Sequence, residues 1–413
     1  MSETPAAGAL AEEARALDAA DALAPLRDRF VLDPGTVYLD GNSLGALPEG
    51  VAGRLADVVS REWGRLRIRS WTESGWWTMP ERVGDLIAPL VGAAPGQIVV
   101  GDSTSVNVFK ALIGAVRLAR ADSAQRDEIL VDAATFPTDG YIAASAARLT
   151  GCTVRAVPAD AVSEAVGERA AAVLLNHVDY RTGALHDLPA LTAAARRAGA
   201  VSVWDLCHSA GALPVGLDEH GVDLAVGCTY KFLNGGPGSP AYLYVRSGLQ
   251  DRFETPLPGW TSHAEPFAMA PDYRPAAGAA RGRVGTPDIL SMAALEEALR
   301  VWDGVRIEDV RAKSLALTDF FLRCVAARQD EGAAVTVRSL TPAEHARRGS
   351  QVALLCDPED RAEQVMAELI ARGVVGDFRR PGVLRFGFTP LYTSFQDVER
   401  AARVLGEVIG GDR

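Results

Sequence analysis

The stretch that decides the fold reads Gly227-Cys228-Thr229-Tyr230-Lys231-Phe232-Leu233-Asn234-Gly235-Gly236-Pro237-Gly238. Before it stands Val201-Ser202-Val203-Trp204-Asp205-Leu206-Cys207-His208, a short apolar run with an acid at its end. After it comes Ala241-Tyr242-Leu243-Tyr244-Val245, whose β-branched and aromatic content reads as another strand. Lys231 therefore falls in a turn between buried strands, with a glycine-rich loop directly behind it. Only three lysines (Lys110, Lys231 and Lys313) occur among 42 basic residues, so arginine carries nearly all the positive charge. Arginine keeps its proton, whereas burial can tune lysine into a nucleophile or base. The plain alternative is a loop cation at a strand end.

Asp205 shifts the balance. Its separation from Lys231 leaves room for one intervening strand, 222–226. An acid at one strand end and a lysine at a later one meet the needs of pyridoxal phosphate, which takes a carboxylate at its pyridinium nitrogen and an amine at its aldehyde.

Outward from this centre, strand and helix patterns alternate. Segments 98–100, 128–131, 154–157, 172–175 and 201–204 read as short buried strands, and helices are expected after Asn107, from the opening Phe136-Pro137-Thr138-Asp139 to Leu149, and over 188–198. Asp187 and Pro189 mark the start of the last of these. Such alternation implies right-handed crossovers and a mostly parallel sheet, in which ligands gather at the carboxyl ends of the strands. The segments 102–107, 136–139, 176–183, 205–208 and 230–231 all fall there. Asp102-Ser103-Thr104-Ser105 at a strand-to-helix turn suits a phosphate, with a plain hydroxyl N-cap as the alternative. Phe136 is either a stacking ring or a core residue. Tyr38 to Gly45 reads as a strand end and a glycine-rich turn, either a plain turn or one that brings backbone N–H groups to a ligand, and 48–64 as a helix. Trp71, Trp76 and Trp77 then crowd a segment expected to be a loop, plugging a core or lining a pocket. Beyond about residue 300 the pattern is that of a smaller α+β domain. The expected division is 1–60 as an amino-terminal segment joining the small domain, 61–300 as the large domain and 301–413 as the small one.

The 413 residues, 48% hydrophobic and 23% charged, are ordinary for a globular protein. A net charge of −11 disfavours nucleic acid as a partner. Five cysteines without CxxC spacing point to reduced thiols in a cytoplasm rather than to zinc or disulfides, and the histidines show no metal spacing, so no metal is expected. No apolar run reaches membrane-spanning length, and the amino terminus lacks the pattern of a signal peptide.

With these residues assembled, the sequence resembles the kynureninase family, pyridoxal-phosphate enzymes of fold type I. The likeness is carried by Tyr38-Leu39-Asp40-Gly41-Asn42-Ser43-Leu44-Gly45, Phe136-Pro137-Thr138-Asp139, His177-Val178-Asp179-Tyr180-Arg181-Thr182-Gly183, Trp204 to Gly211, the lysine stretch through Ser239, and Arg385-Phe386-Gly387-Phe388-Thr389-Pro390-Leu391-Tyr392. It implies an α/β fold, with a large domain built on a mostly parallel sheet and a smaller α+β domain. The implied activity is hydrolysis of L-kynurenine to anthranilate and L-alanine in tryptophan catabolism. Lys231 would carry the cofactor and move protons, Asp205 would hold the pyridinium, and Phe136 would stack on the ring. Thr104, Ser105 and Tyr230 would serve the phosphate, while Asp139, Asn176 and His208 would hold the cofactor's polar edge. Trp260 and Thr286 would close the phosphate site from a neighbouring subunit, which implies a homodimer. Tyr230 is the implied acid that protonates the β-carbon. Arg385, Trp71, Asn42 and Gly285 would bind substrate, Arg385 taking its carboxylate. Trp71 with Gly285-Thr286 implies preference for kynurenine over its 3-hydroxy form.

The chain departs from the family pattern at Asn176, where a hydroxyl residue is usual, at Cys207 in place of Ala, and at Thr261-Ser262 in place of Phe-Gly. The rival readings are another fold type I enzyme, such as a cysteine desulfurase with a mobile nucleophilic thiol, and a silent binding protein that keeps the fold.

Overall fold

The computed structural model describes residues 7–329 and 333–410. The chain forms two compact units, one of Val51–Asp179 and His186–Leu299, the other of Met1–Gly50, Tyr180–Leu185 and Arg300–Arg413.

The first unit is built on seven strands: β1 (Ile98–Val100), β2 (Glu128–Asp132), β3 (Thr153–Val157), β4 (Ala170–Asn176), β5 (Val201–Asp205), β6 (Leu224–Gly227) and β7 (Tyr242–Val245). Their order across the sheet is β1-β7-β6-β5-β4-β2-β3. All neighbours run parallel except β7, which is antiparallel to both β1 and β6. Every residue of β4, β5, β6 and β7 is buried, whereas most of β3 is exposed. The difference follows from position, because β3 lies at an edge and tolerates Thr153 and Arg155. The core joins sheet residues such as Val203, Leu224 and Val226 to Val108, Leu112 and Ala115 of the helix Thr104–Asp122. The helix Leu188–Ala198 starts at Asp187, whose carboxylate accepts from Ala190 N at 2.9 Å, and stops at Gly199 with φ 72°.

Three local readings are corrected. Residues 222–223 do not extend β6, because the Asp223 carboxylate accepts from Ser202 N and Oγ at 3.0 Å each and pairs with Arg246. The expected helix over 48–64 begins at Gly50 and widens after Asp57 into a π-helical stretch, Val58–Leu66. The tryptophans that follow lie on short helical turns, Arg67–Arg69, Ser70–Glu73 and Trp76–Thr78, instead of in a loop, and these lead into the helix Met79–Val91.

The second unit holds four antiparallel strands: β8 (Thr336–Ser339), β9 (Gln351–Asp357), β10 (Asp377–Arg379) and β11 (Val383–Gly387), in the order β8-β9-β11-β10. Leu10 and Ala14 of the helix Ala7–Ala19 share a core with Phe320, Phe321, Phe386 and Phe395. Val37–Tyr38 pairs in parallel with Val374–Val375. The first six residues of the sequence lie outside the described part. Among the described residues, no helix is long and apolar enough to cross a membrane, and no group of His, Cys, Asp and Glu could hold a metal ion. All five cysteines are free thiols.

Candidate active site

Lys231 is positioned by the loop that carries it. Gly227 closes β6 opposite Tyr242, and a Cβ there would lie 2.4 Å from the buried Tyr242 hydroxyl, so only glycine lets that ring lie flat on the strand. The Thr229 hydroxyl is 2.7 Å from both Ser239 Oγ and Pro240 O, and Gly235 N donates to Thr229 O, which ties the glycine-rich loop back onto its own start. Lys231 Nζ then lies 3.0 Å from His208 Nε2 and 5.8 Å from the centre of the Tyr230 ring. The other two lysines are buried in ion pairs. Lys110 meets Asp102 at 2.8 Å and Gly282 O at 2.7 Å, and Lys313 meets Asp21 at 2.6 Å.

A second set of groups stands at the ends of β4 and β5. Parallel register places Asn176 opposite Asp205. The Asn176 amide donates to Asp205 at 3.0 Å and to Asp139 at 2.9 Å, and its oxygen accepts from Thr135 Oγ1 at 2.7 Å and Phe136 N at 3.2 Å. Asp205 also accepts from Cys207 N at 2.7 Å. Asp139, Asn176, Asp205 and His208 are all buried. Burial, and then the charge of Asp205, push the Asp139 carboxyl well above its usual range. The departure at Asn176 is explained here, since a hydroxyl carries one proton and could not donate to both acids.

Phe136 caps the helix Pro137–Thr150 with its side chain 43% exposed, which removes the core alternative. At the helix Thr104–Asp122 the cap is Ser103, accepting from Val106 N at 3.4 Å. The plain N-cap reading therefore holds for Ser103 and leaves the hydroxyls of Thr104 and Ser105 for other work. Thr104 Oγ1 lies 3.8 Å from Cys207 Sγ, which links this turn to the end of β5. The charge of Cys228, then burial, raise the Tyr230 hydroxyl above its ordinary range, so it holds its proton at neutral pH.

Trp71, Trp260, Gly285 and Thr286 fall in other groups. Trp71 meets Trp76 and Trp77 edge-on at 5.8 and 6.2 Å, and Trp77 lies 5.4 Å from Trp260. Gly285 and Thr286 are exposed and line a cavity of about 240 Å³ with Asp102, Lys110 and Arg283.

Within the second unit, Arg385 is 2% exposed. Its Nε donates to Asp377 Oδ1 at 2.9 Å and its Nη2 to Asp377 Oδ2, so that edge of the guanidinium is gripped as a fork. Nη1 donates to Tyr180 O at 2.6 Å and Nη2 to Ser43 Oγ at 3.1 Å. Asn42 is fully buried, its amide 3.3 Å from Gln351 Oε1. Burial, then the charge of Asp377, push the Asp40 carboxyl up to about 6. The sequence reading missed Asp377, although a signal exists. Pro381-Gly382 turns the chain between β10 and β11, and that hairpin sets Asp377 opposite Arg385.

Known proteins share both the sequence and the fold. Residues 310–405 match the kynureninase C-terminal domain. The kynureninase of Deinococcus radiodurans is 50% identical over 96% of both chains. That of Pseudomonas fluorescens is 47% identical over 95% of this chain and 94% of its own. Among solved structures, a cysteine desulfurase, CsdA from Escherichia coli, superposes with a TM-score of 0.77 at 21% identity, covering 92% of this chain and 97% of its own. A C-DES variant with glycine linked to its PLP cofactor gives 0.79 at 19%, covering 92% and 98%. The structural likeness establishes fold type I, and the sequence likeness, nearly half of all positions over almost the whole length, establishes that the chain belongs to the kynureninase family.

Proposed function

We propose that the protein hydrolyses L-kynurenine to anthranilate and L-alanine with pyridoxal phosphate held at Lys231. The observation that carries this reading is the strand-end group in which Lys231 meets His208 while Asp205 and Asp139 share one amide. Its residues fit the cofactor part by part. Lys231 offers the amine for the aldehyde, Asp205 a buried carboxylate for the ring nitrogen, and Phe136 an exposed aromatic face. Thr104 and Ser105 open a helix whose free N–H groups suit a phosphate. Asp139 and His208 hold the polar edge of the ring, and Asn176 fixes both acids.

When bound, the cofactor supplies an electron sink for charge developing at the substrate α-carbon. Lys231 takes the α-proton, with His208 beside its amine. Asp205 would face the ring nitrogen and hold a proton there. Water adds to the γ-carbonyl, the Cβ–Cγ bond breaks with anthranilate leaving, and Tyr230, protonated at neutral pH, donates to the β-carbon as alanine forms. Arg385 takes the substrate carboxylate in exchange for Ser43 Oγ and Tyr180 O, which its Nη2 and Nη1 otherwise hold, while Asp377 keeps the other edge, and Asn42 borders that position. Trp71 and Gly285 flank the substrate ring, favouring kynurenine over 3-hydroxykynurenine because an indole offers no partner for the extra hydroxyl. Trp260 and Thr286, both exposed in the single chain, reach the phosphate of a second copy in a homodimer. The setting is the cytoplasm.

Thiol chemistry of the desulfurase kind is disfavoured by the thiols of the second unit. Cys324 and Cys356 are fully buried, and burial pushes each up to about 11. The test is to assay anthranilate release from L-kynurenine and, in parallel, alanine from L-cysteine. Anthranilate release that requires pyridoxal phosphate is expected, and sulfur release without it would overturn the reading.

A further inference from the structure

Glu62 lies in the π-helical stretch Val58–Leu66 and is 2% exposed. A buried carboxylate is costly to desolvate unless it is paired and hydrogen-bonded, and this one is used at every oxygen. Oε1 accepts from Arg54 at 2.8 Å and from Arg61 at 3.0 Å. Oε2 accepts from the indole nitrogen of Trp76 at 2.6 Å. The Glu62 main-chain oxygen accepts from the buried Ser70 hydroxyl at 2.7 Å. The side chain and main chain of one residue thus fasten both ends of the turn that carries Trp71. Between Glu62 and Ser70, Arg67 takes the left-handed φ of 55°, a conformation that a non-glycine residue holds only when its surroundings impose it. π-helical widening re-aims side chains and recurs at functional sites.

The aromatic rings extend outward from this anchor. Trp76 is buried, Trp71 stands edge-on to it, and Trp77 links Trp71 to Trp260 with Arg283 stacked 4.8 Å from the Trp77 ring centre. We propose that Glu62 is a positioning residue for the substrate's aromatic ring: by holding Trp76 and Ser70 it sets the orientation of Trp71, and through it the fit of the anthranilate half. This rests on the reading of Trp71 as a wall of the ring site.

Glutamine is the sharp probe because it is nearly isosteric. It has one oxygen and one amide nitrogen where the site needs two acceptors, so in either orientation a donor faces a donor, the arginines or the indole N–H. Product inhibition separates the two halves of the substrate, since anthranilate carries the ring and L-alanine carries the α-carbon and carboxylate. For Glu62→Gln, the KM for L-kynurenine and the Ki for anthranilate are expected to rise roughly five- to tenfold, while kcat and the Ki for L-alanine change less than about twofold. Trp76→Phe keeps an aromatic ring and the Glu62 charge and removes the indole N–H together with part of the indole. It should move the same two constants in the same direction, and it tests the proposal if Glu62→Gln does not fold. Trp71→His is the reference. If it raises the anthranilate Ki while Glu62→Gln and Trp76→Phe do not, Glu62 is not the positioning residue. If Trp71→His leaves the anthranilate Ki unmoved, the ring-site reading itself falls and the proposal with it. Equal losses for anthranilate and alanine in Glu62→Gln would mean general damage and would also overturn it.

Discussion

The strand ends of the first unit and the hairpin of the second satisfy their buried charges in different ways. At β4 and β5 one amide, Asn176, donates to two acids and accepts from two donors, so its hydrogen-bonding capacity is spent within one layer of the sheet. Around Arg385 the partners come from three separate segments (Ser43, Tyr180 and Asp377), and nearby acceptors remain without a hydrogen-bond partner, among them Asp40 Oδ1 and Asn42 Oδ1. A complete network resists rearrangement, because breaking any member strands a desolvated group. The Arg385 group can exchange Ser43 Oγ or Tyr180 O for another acceptor while Asp377 keeps its charge paired. The first arrangement suits a group that stays, and the second suits a group that comes and goes.

If this contrast is right, damage at the strand ends falls on turnover and damage at the hairpin falls on substrate affinity. The largest effect is expected for Lys231→Ala, with turnover reduced at least about ten-thousandfold while the thermal unfolding of the protein is unchanged. Borohydride reduction followed by peptide mapping should find the cofactor on Lys231 in the wild type, and label on Lys110 or Lys313 would break the assignment. Next comes Asp205→Asn, which removes the charge at the ring nitrogen. We expect kcat to fall on the order of a thousandfold, with cofactor affinity weakened far less. A variant that turns over normally would remove Asp205 from the electron sink.

Arg385→Lys keeps a charge and loses the fork. A rise in KM of roughly ten- to a hundredfold is expected, with the absorbance of the bound cofactor unchanged. Should kcat fall instead and KM stay, the two regions would not divide the work as described, and Arg379, 2.9 Å from Asp377, becomes the next residue to test.

The smallest effect concerns stability. The Asp40 carboxyl titrates at about 6 in the folded chain, above its usual 3.8, because of burial and then Asp377. Between those values the folded state binds more protons than the unfolded one, so this group's contribution falls as pH rises through that window and stays low above it. Asp40→Asn should therefore gain about 1–2 kcal/mol on the wild type at pH 8 that it does not gain at pH 4. Denaturant unfolding at the two pH values measures the difference, and an equal gain at both would show that Asp40 is not held against its charge.

The parallel sheet and the gathering of polar groups at its carboxyl ends were legible in the sequence alone. Burial of short apolar runs and capping of helices are local properties that a few adjacent residues decide. Lys231 and Asp205 stood out for the same reason, by residue type and by place at a strand end. Hydrogen-bond partners were not legible. That Asn176 bridges two acids, that Asp377 grips Arg385, and that Glu62 holds Trp76 depend on which side chains meet after the chain has closed on itself. Asp223 left its strand for Ser202, and the helix after Asp57 widened, because tertiary partners outweighed local preference. Periodicity records which face of an element is apolar, and only the folded chain brings a donor and an acceptor within 3 Å of each other.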